Sequence, residues 1–188
     1  MLKREYKKQN IIELIQLAQN GEVKALEEFI RKIQSEVYAI FSHLVDKKDD
    51  ISDLTQEALI KIAKSLYQLK DVKSYKSWQN RIITNVFNDY IRKKSNNEIE
   101  IDEEKLNKIK DEIGCEPGEK CLYIQIEKLI RAALLTLPQS LRVALILREY
   151  EGLSYQDIAK ITNVTLGTVK SRISRARLKL QNELRDFL

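Results

Sequence analysis

The sequence predicts an all-α chain of two helical domains joined by a flexible acidic linker, and three observations carry that prediction. Apolar residues recur at helical spacing through most of the 188 residues, marking one face of each segment for burial. Val, Ile and Tyr nowhere sustain the strict alternation of a half-buried strand, and five Gly and two Pro supply few of the interruptions that hairpins need. The periodicity lapses once, over residues 95–120, and then resumes. With 43% hydrophobic residues, each part can bury a modest core.

The first domain is expected over residues 1–94. Residues 10–19 read as a helix closed by Asn20 and Gly21, and 22–45 as a longer one with Leu26, Phe29, Ile30, Ile33, Val37 and Ile40 inward. After DKKDD, Asp50 is expected to cap a helix over 51–69 that buries Ile51, Leu54, Ala58, Ile62 and Leu69. The loop LKDVKS precedes a helix over 75–94, capped by Ser74, whose inward stripe is Tyr75, Trp78, Ile82, Val86 and Tyr90. The single histidine, His43, falls late in the second helix and reads as an ordinary surface or half-buried residue.

Residues 95–120 form the linker, polar, acidic and broken by Gly114, Pro117 and Gly118. Cys115 and Cys121, the two cysteines, lie in or beside it; the spacing of a zinc site is absent, and two reduced thiols are expected, with a redox pair across GCEPGEKC as the alternative. The second domain, 121–188, holds a helix over 121–136 and another from Pro138 to Tyr150, closed by Glu151 and Gly152. Ser154, with Asp157 three residues on, caps the next helix. A last helix buries the stripe Leu166, Val169, Ile173, Ala176, Leu180 and Leu184, leaving Thr168, Ser171, Arg175 and Lys179 opposite, with Arg172 and Ser174 at the flanks.

Charge is distributed unevenly. Residues 160–185 hold seven Lys or Arg against one Glu, a net of +6, whereas 98–120 hold nine Asp or Glu against four Lys, a net of −5. The basic end suits nucleic acid and the acidic stretch avoids it. Two short helices around a tight turn, the second basic on one side only, have the build of a helix-turn-helix that offers donors to phosphates and base edges. In the first domain, aromatics, amides and cations interleave over 74–94, a mixture that suits unstacked bases, although Trp78 and Tyr90 by their angle are core. The helix before it sets Ile60 among Asp53, Gln56, Ala63 and Lys64, a face that either tolerates one exposed apolar residue or receives a partner. Asp53 and Glu57 form a carboxylate pair, but no histidine, second acidic cluster or phosphate-binding glycine loop accompanies them. No catalytic site, metal or cofactor is therefore expected. The opening MLKREYKK lacks the apolar core of a secretion signal, and a cytoplasmic location is expected. A stand-alone helix-turn-helix regulator, dimeric on duplex DNA, is the alternative reading.

Three segments, DLTQEALIKIAKSL (53–66), SYKSWQNRIITNVFNDYIRKK (74–94) and the run from LPQSL to RLKL (137–180), together resemble a bacterial RNA polymerase sigma factor of the sigma-70 family. The resemblance is to the short extracytoplasmic-function (ECF) type, which keeps only regions two and four. It implies a non-catalytic initiation factor whose partners are core RNA polymerase, through its clamp helices and flap, and promoter DNA, both duplex and single-stranded. It also admits an anti-sigma factor, and no membrane insertion. It places polymerase docking on Asp53, Gln56, Glu57 and Ile60, and capture of a minus-ten base on the loop Lys73, Ser74 and Tyr75 with Arg81, Asn85, Asn88 and Arg92 alongside. Reading of the minus-thirty-five groove falls to Ser171, Ser174 and Arg175 on the face that carries Thr168, with Tyr155, Gln156, Lys170 and Arg172 on phosphates. The loop LKDVKS carries neither the Gly nor the Phe often found there, and Ser174 is small where some relatives place an aromatic.

Overall fold

A computed structural model describes residues 6–95 and 119–185 of the chain. Every regular element among the described residues is helical. In chain order these are α1 (Ile11–Gln19), α2 (Val23–Leu44), α3 (Lys48–Ser65) and α4 (Tyr75–Ser95), then α5 (Glu119–Thr136), α6 (Gln139–Glu149), α7 (Tyr155–Thr162) and α8 (Leu166–Leu184). Most of the expected linker, with Cys115, lies outside the described residues, and Cys121 falls in the first turn of α5.

The first half is built around α2, which packs on α1 and α3, while α4 closes the bundle against α3. Asn10 starts α1 with a reciprocal cap: its Oδ1 accepts from the Glu13 amide at 2.9 Å, and its own amide donates to Glu13 Oε2 at 3.2 Å. Asn20 then ends the helix and Gly21, at φ +90°, makes the turn, a conformation that costs a glycine little. Phe29, Ile33, Val37, Ile40 and Phe41 fill the core beneath α2, and Leu26 and Ile30 border it.

Two expected caps are absent. Helix α3 begins three residues before Ile51 with Lys47 as its N-cap, so Asp50 lies inside the first turn, where its charge suits the helix dipole. Its carboxylate reaches across to α4, accepting from Tyr90 Oη at 2.6 Å and Lys94 Nζ at 3.3 Å. Ser74 likewise caps nothing: it ends a single 3₁₀ turn, Val72–Ser74, that Asp71 caps and that runs directly into α4. At the other end α3 passes at Leu66 into a second such turn, with Leu69 buried behind it.

The second half gathers α6 and α7 around α8. Leu141, Val143, Ala144, Leu145, Ile146 and Leu147 are all buried, so α6 is the central helix of this half and is covered on nearly every side. Pro138 stands at its N-cap rather than inside its first turn. Ser154 caps α7 as expected, its Oγ accepting from the Asp157 amide at 3.1 Å and donating to Asp157 Oδ2 at 2.6 Å. Asn163 closes α7 in the left-handed conformation at φ 53°, which Asn tolerates better than most residues, and Thr165 then caps α8 by accepting from the Thr168 amide at 3.2 Å.

Candidate nucleic-acid interface

The short turn from Asn163 to Thr165 throws α8 across α7, and the α8 stripe decides which of its sides remains free. Val169, Ile173 and Ala176 are buried, with Leu180 and Leu184 part-buried beyond them. Leu166, expected to lead that stripe, is instead exposed at 38%, lining an open cleft at the start of α8. Lys170, Ser171, Ser174, Arg175 and Lys179 are exposed and Arg172 half-buried, so the basic side is presented as the pattern predicts. Thr168 is half-buried, its hydroxyl 2.9 Å from that of Thr165 and its carbonyl accepting from Ser171 Oγ at 3.0 Å, which makes it part of the cap.

Between the N-terminal ends of α7 and α8 lies an open cleft lined by Arg148, Ser154, Tyr155, Gln156, Leu166 and Lys170. Three residues assigned to phosphates meet there, and the fold adds Arg148, whose guanidinium lies 5.1 Å from the centre of the Tyr155 ring while Nη1 donates to the Leu153 carbonyl. The signal for Arg148 in the sequence was a cation shortly before the motif, which the apolar pattern of α6 obscured. Two helix N-termini and two cations make this cleft attractive to an anion.

In the first half, Lys73 and Ser74 are exposed and Tyr75 is half-buried at the start of α4; burial pushes the Tyr75 hydroxyl above its ordinary pKa. Arg81, Asn85, Asn88 and Arg92 are exposed along one flank of α4, which runs on from that turn. Arg92 pairs with Asp89 at 3.0 Å, and Asn88 Oδ1 accepts from Gln139 Nε2 at 3.0 Å. The inward stripe of α4 differs from the expected one. Ile83, Val86 and Phe87 are the buried apolar residues, whereas Tyr75, Trp78, Ile82 and Tyr90 are only partly covered. Gln79, Asn80 and Thr84 are buried as well, a polar strip that periodicity cannot flag: Gln79 donates to Glu36 of α2 at 2.7 Å and Asn80 to Glu151 of the second half at 2.8 Å. At the end of the helix, Tyr90 first and then Lys94 hold the Asp50 carboxyl below the usual carboxylate range.

On α3, Asp53, Gln56 and Ile60 are exposed, Ile60 at 54%, and Glu57 bridges to Lys61 at 2.7 Å. This face is turned away from the core residues Leu54, Ala58 and Ile62. Among the described residues, no cluster of three or more His, Cys, Asp or Glu is placed to hold a metal, and no helix is long and apolar enough to cross a membrane.

Comparison with known families agrees with both halves. The family model for sigma-70 region 2 matches residues 29–97, and that for sigma-70 region 4 matches 127–180. The chain belongs to the sigma-70 family, ECF type. This sigma factor is 29% identical over 181 residues to the ECF RNA polymerase sigma-E factor of Haemophilus influenzae, covering 93% of this chain and 95% of that one. It is also 29% identical over 184 residues to the RNA polymerase sigma-H factor of Pseudomonas aeruginosa, with 94% of each covered. Among solved structures it is similar to the sigma factor RpoE in complex with the anti-sigma factor NepR from Bartonella quintana, with a TM-score of 0.65 at 27% identity, covering 86% of this chain and 98% of that one. As a sigma factor it directs promoter-specific transcription.

Proposed function

We propose that this sigma factor lends core RNA polymerase both promoter recognition and promoter opening, dividing the two tasks between its halves. Residues 1–94 dock on polymerase and handle the minus-ten element, 121–188 read the minus-thirty-five element, and 95–120 connect them. The observation that carries this reading is α8: Val169, Ile173 and Ala176 are fully packed, while Ser171, Ser174 and Arg175 face solvent on the other side. A helix anchored along one edge can lie in a major groove with its donors on base edges. Tyr155, Gln156, Lys170 and Arg172 then hold phosphates, with Arg148 added to them.

The flank of α4 and the turn Lys73, Ser74 and Tyr75 supply the other task. Stacking is worth about 1–3 kcal/mol per trapped base, against a few kcal/mol to flip one, so a small number of captured bases offsets the cost of opening. No chemical step is assigned to the chain; it positions and traps, in the cytoplasm, where polymerase works. The exposed Ile60 with Asp53, Gln56 and Glu57 makes the face that docks on the clamp helices, the flap meets the second half, and an anti-sigma factor is a further partner. Asp53→Ala combined with Ile60→Glu is expected to abolish binding to core polymerase while leaving helicity unchanged. Normal polymerase affinity in a folded double variant refutes that docking face.

A further inference from the structure

Helix α1 carries none of the residues assigned to DNA or to polymerase, yet its last residue reaches the chain between α3 and α4. Gln19 Nε2 donates to the carbonyls of Leu66 at 2.9 Å and Leu69 at 2.8 Å, joining positions 47 and 50 residues apart. Both carbonyls lie where α3 gives out and regular helical bonding stops; that of Leu66 also accepts from the Leu69 amide at 3.2 Å. A carboxamide carries two N–H donors on one nitrogen, so a single side chain satisfies both acceptors. Leu66 and Leu69 are buried, and water is poorly placed to take over either bond.

From Leu69 the chain turns directly into the residues assigned to base capture. Asp71 organises that turn from within. Its Oδ1 accepts from the Lys73 amide at 3.0 Å, and its carbonyl accepts from the Ser74 amide at 3.1 Å and from Ser74 Oγ at 2.7 Å. Helix α1 packs against both 3₁₀ turns, Leu66–Gln68 and Val72–Ser74, and Val72 rests on the core, while Lys70, Asp71, Lys73 and Ser74 stay exposed. The bonds of Asp71 therefore set the shape of the turn, and those of Gln19 set where it sits on the bundle. A site that traps an unstacked base gains from being held in place beforehand, because ordering deferred until binding is subtracted from affinity.

We propose that Gln19 is a positioning residue for minus-ten capture, its carboxamide seating the turn that carries Lys73, Ser74 and Tyr75. The proposal rests on the function proposed above for that turn. Helix α1 does not need the bond for its own place in the bundle, since Leu14, Ile15 and Ala18 bury it. Gln19→Leu keeps the bulk and loses both donors. Gln19→Glu keeps the shape but sets an acceptor against two acceptors, so its effect is the larger.

The test uses the full-length chain assembled with core polymerase, on a promoter that the wild-type holoenzyme selects from a library of random duplexes. A fluorescent purine analogue, whose emission rises on unstacking, replaces successive minus-ten bases, and a matching panel varies the natural base at each of those positions. Ile33→Val, a core truncation in α2, controls for lost stability, and circular dichroism checks folding. Wild type and Ile33→Val are expected to share one emission rise and one base preference. Gln19→Leu should lose about three- to tenfold in occupancy of the unstacked state and Gln19→Glu more, with the preference at the captured position flattened. Affinities for core polymerase and for duplex minus-thirty-five DNA should stay at the wild-type level throughout. Folded Gln19 variants with wild-type emission and preference, an equal loss in Ile33→Val, or weakened polymerase binding would each overturn the positioning role. A wild type that selects no promoter, or unstacks no minus-ten base, refutes the function proposed for the turn and the role of Gln19 with it.

Discussion

Helices α4 and α8 are both rich in cations and amides, yet burial divides them differently. On α8 the buried residues Val169, Ile173 and Ala176 lie on one stripe and the basic residues stay outside, because its neighbours α5, α6 and α7 leave one side free. On α4 the core takes Ile83, Val86 and Phe87, while Gln79, Asn80 and Thr84 are buried too, Gln79 donating to Glu36 of α2 and Asn80 to Glu151 of the second half. Hydrophobic periodicity identifies the packed side of a helix when that side is apolar. A helix that acquires a polar contact gives no such signal, and the expected stripe on Trp78 and Tyr90 was displaced toward Phe87 for that reason.

The sharpest way to break this comparison is to truncate the residue on which it turns. Phe87→Ala is expected to cost about 3–5 kcal/mol of stability, and Trp78→Ala less, because Phe87 is wholly enclosed and Trp78 is not. Chemical denaturation of both variants checks this; a larger loss at Trp78 restores the stripe expected from periodicity.

On α8 the outward face should divide into reading and positioning. Arg175→Ala is expected to cost about 1–3 kcal/mol and to relax preference at one base pair of the upstream element. Lys170→Ala should weaken all sequences evenly and lower the salt dependence by about one charge. Binding to single-base promoter variants at two salt concentrations separates the two, and an equal loss on every variant would make Arg175 a phosphate anchor.

The smallest effect concerns His43. Burial, then the charge of Arg131, hold the His43 pKa below the ordinary 6.5, with Glu127 opposing them, and Tyr150 is the ring against which it stacks. Above 6.5 the imidazole is neutral both folded and unfolded, and its contribution to stability is complete. As pH falls below that value the unfolded chain takes up the proton first, so stability declines until the folded form is protonated too. Melts on either side of that pH should show the decline in the wild type and a flatter profile in His43→Phe. An identical profile in the variant removes His43 from the account.

The division between sequence and tertiary structure follows from the range of the forces involved. Helix positions, the Ser154 cap, the tight turn before α8 and the one-sided charge of α8 are local matters, settled by residues a few positions apart, and they could be read from the chain directly. The resemblance carried by residues 53–66, 74–94 and 137–180 was equally legible, because those motifs are contiguous. Asp50 bound to Tyr90, Glu151 to Asn80 and Arg131 to the end of α2 join residues 40, 71 and more than 80 positions apart. Isolated polar residues carry no periodic mark of such partners, and only the packing of helices distant in sequence decides which of them are buried and which remain exposed.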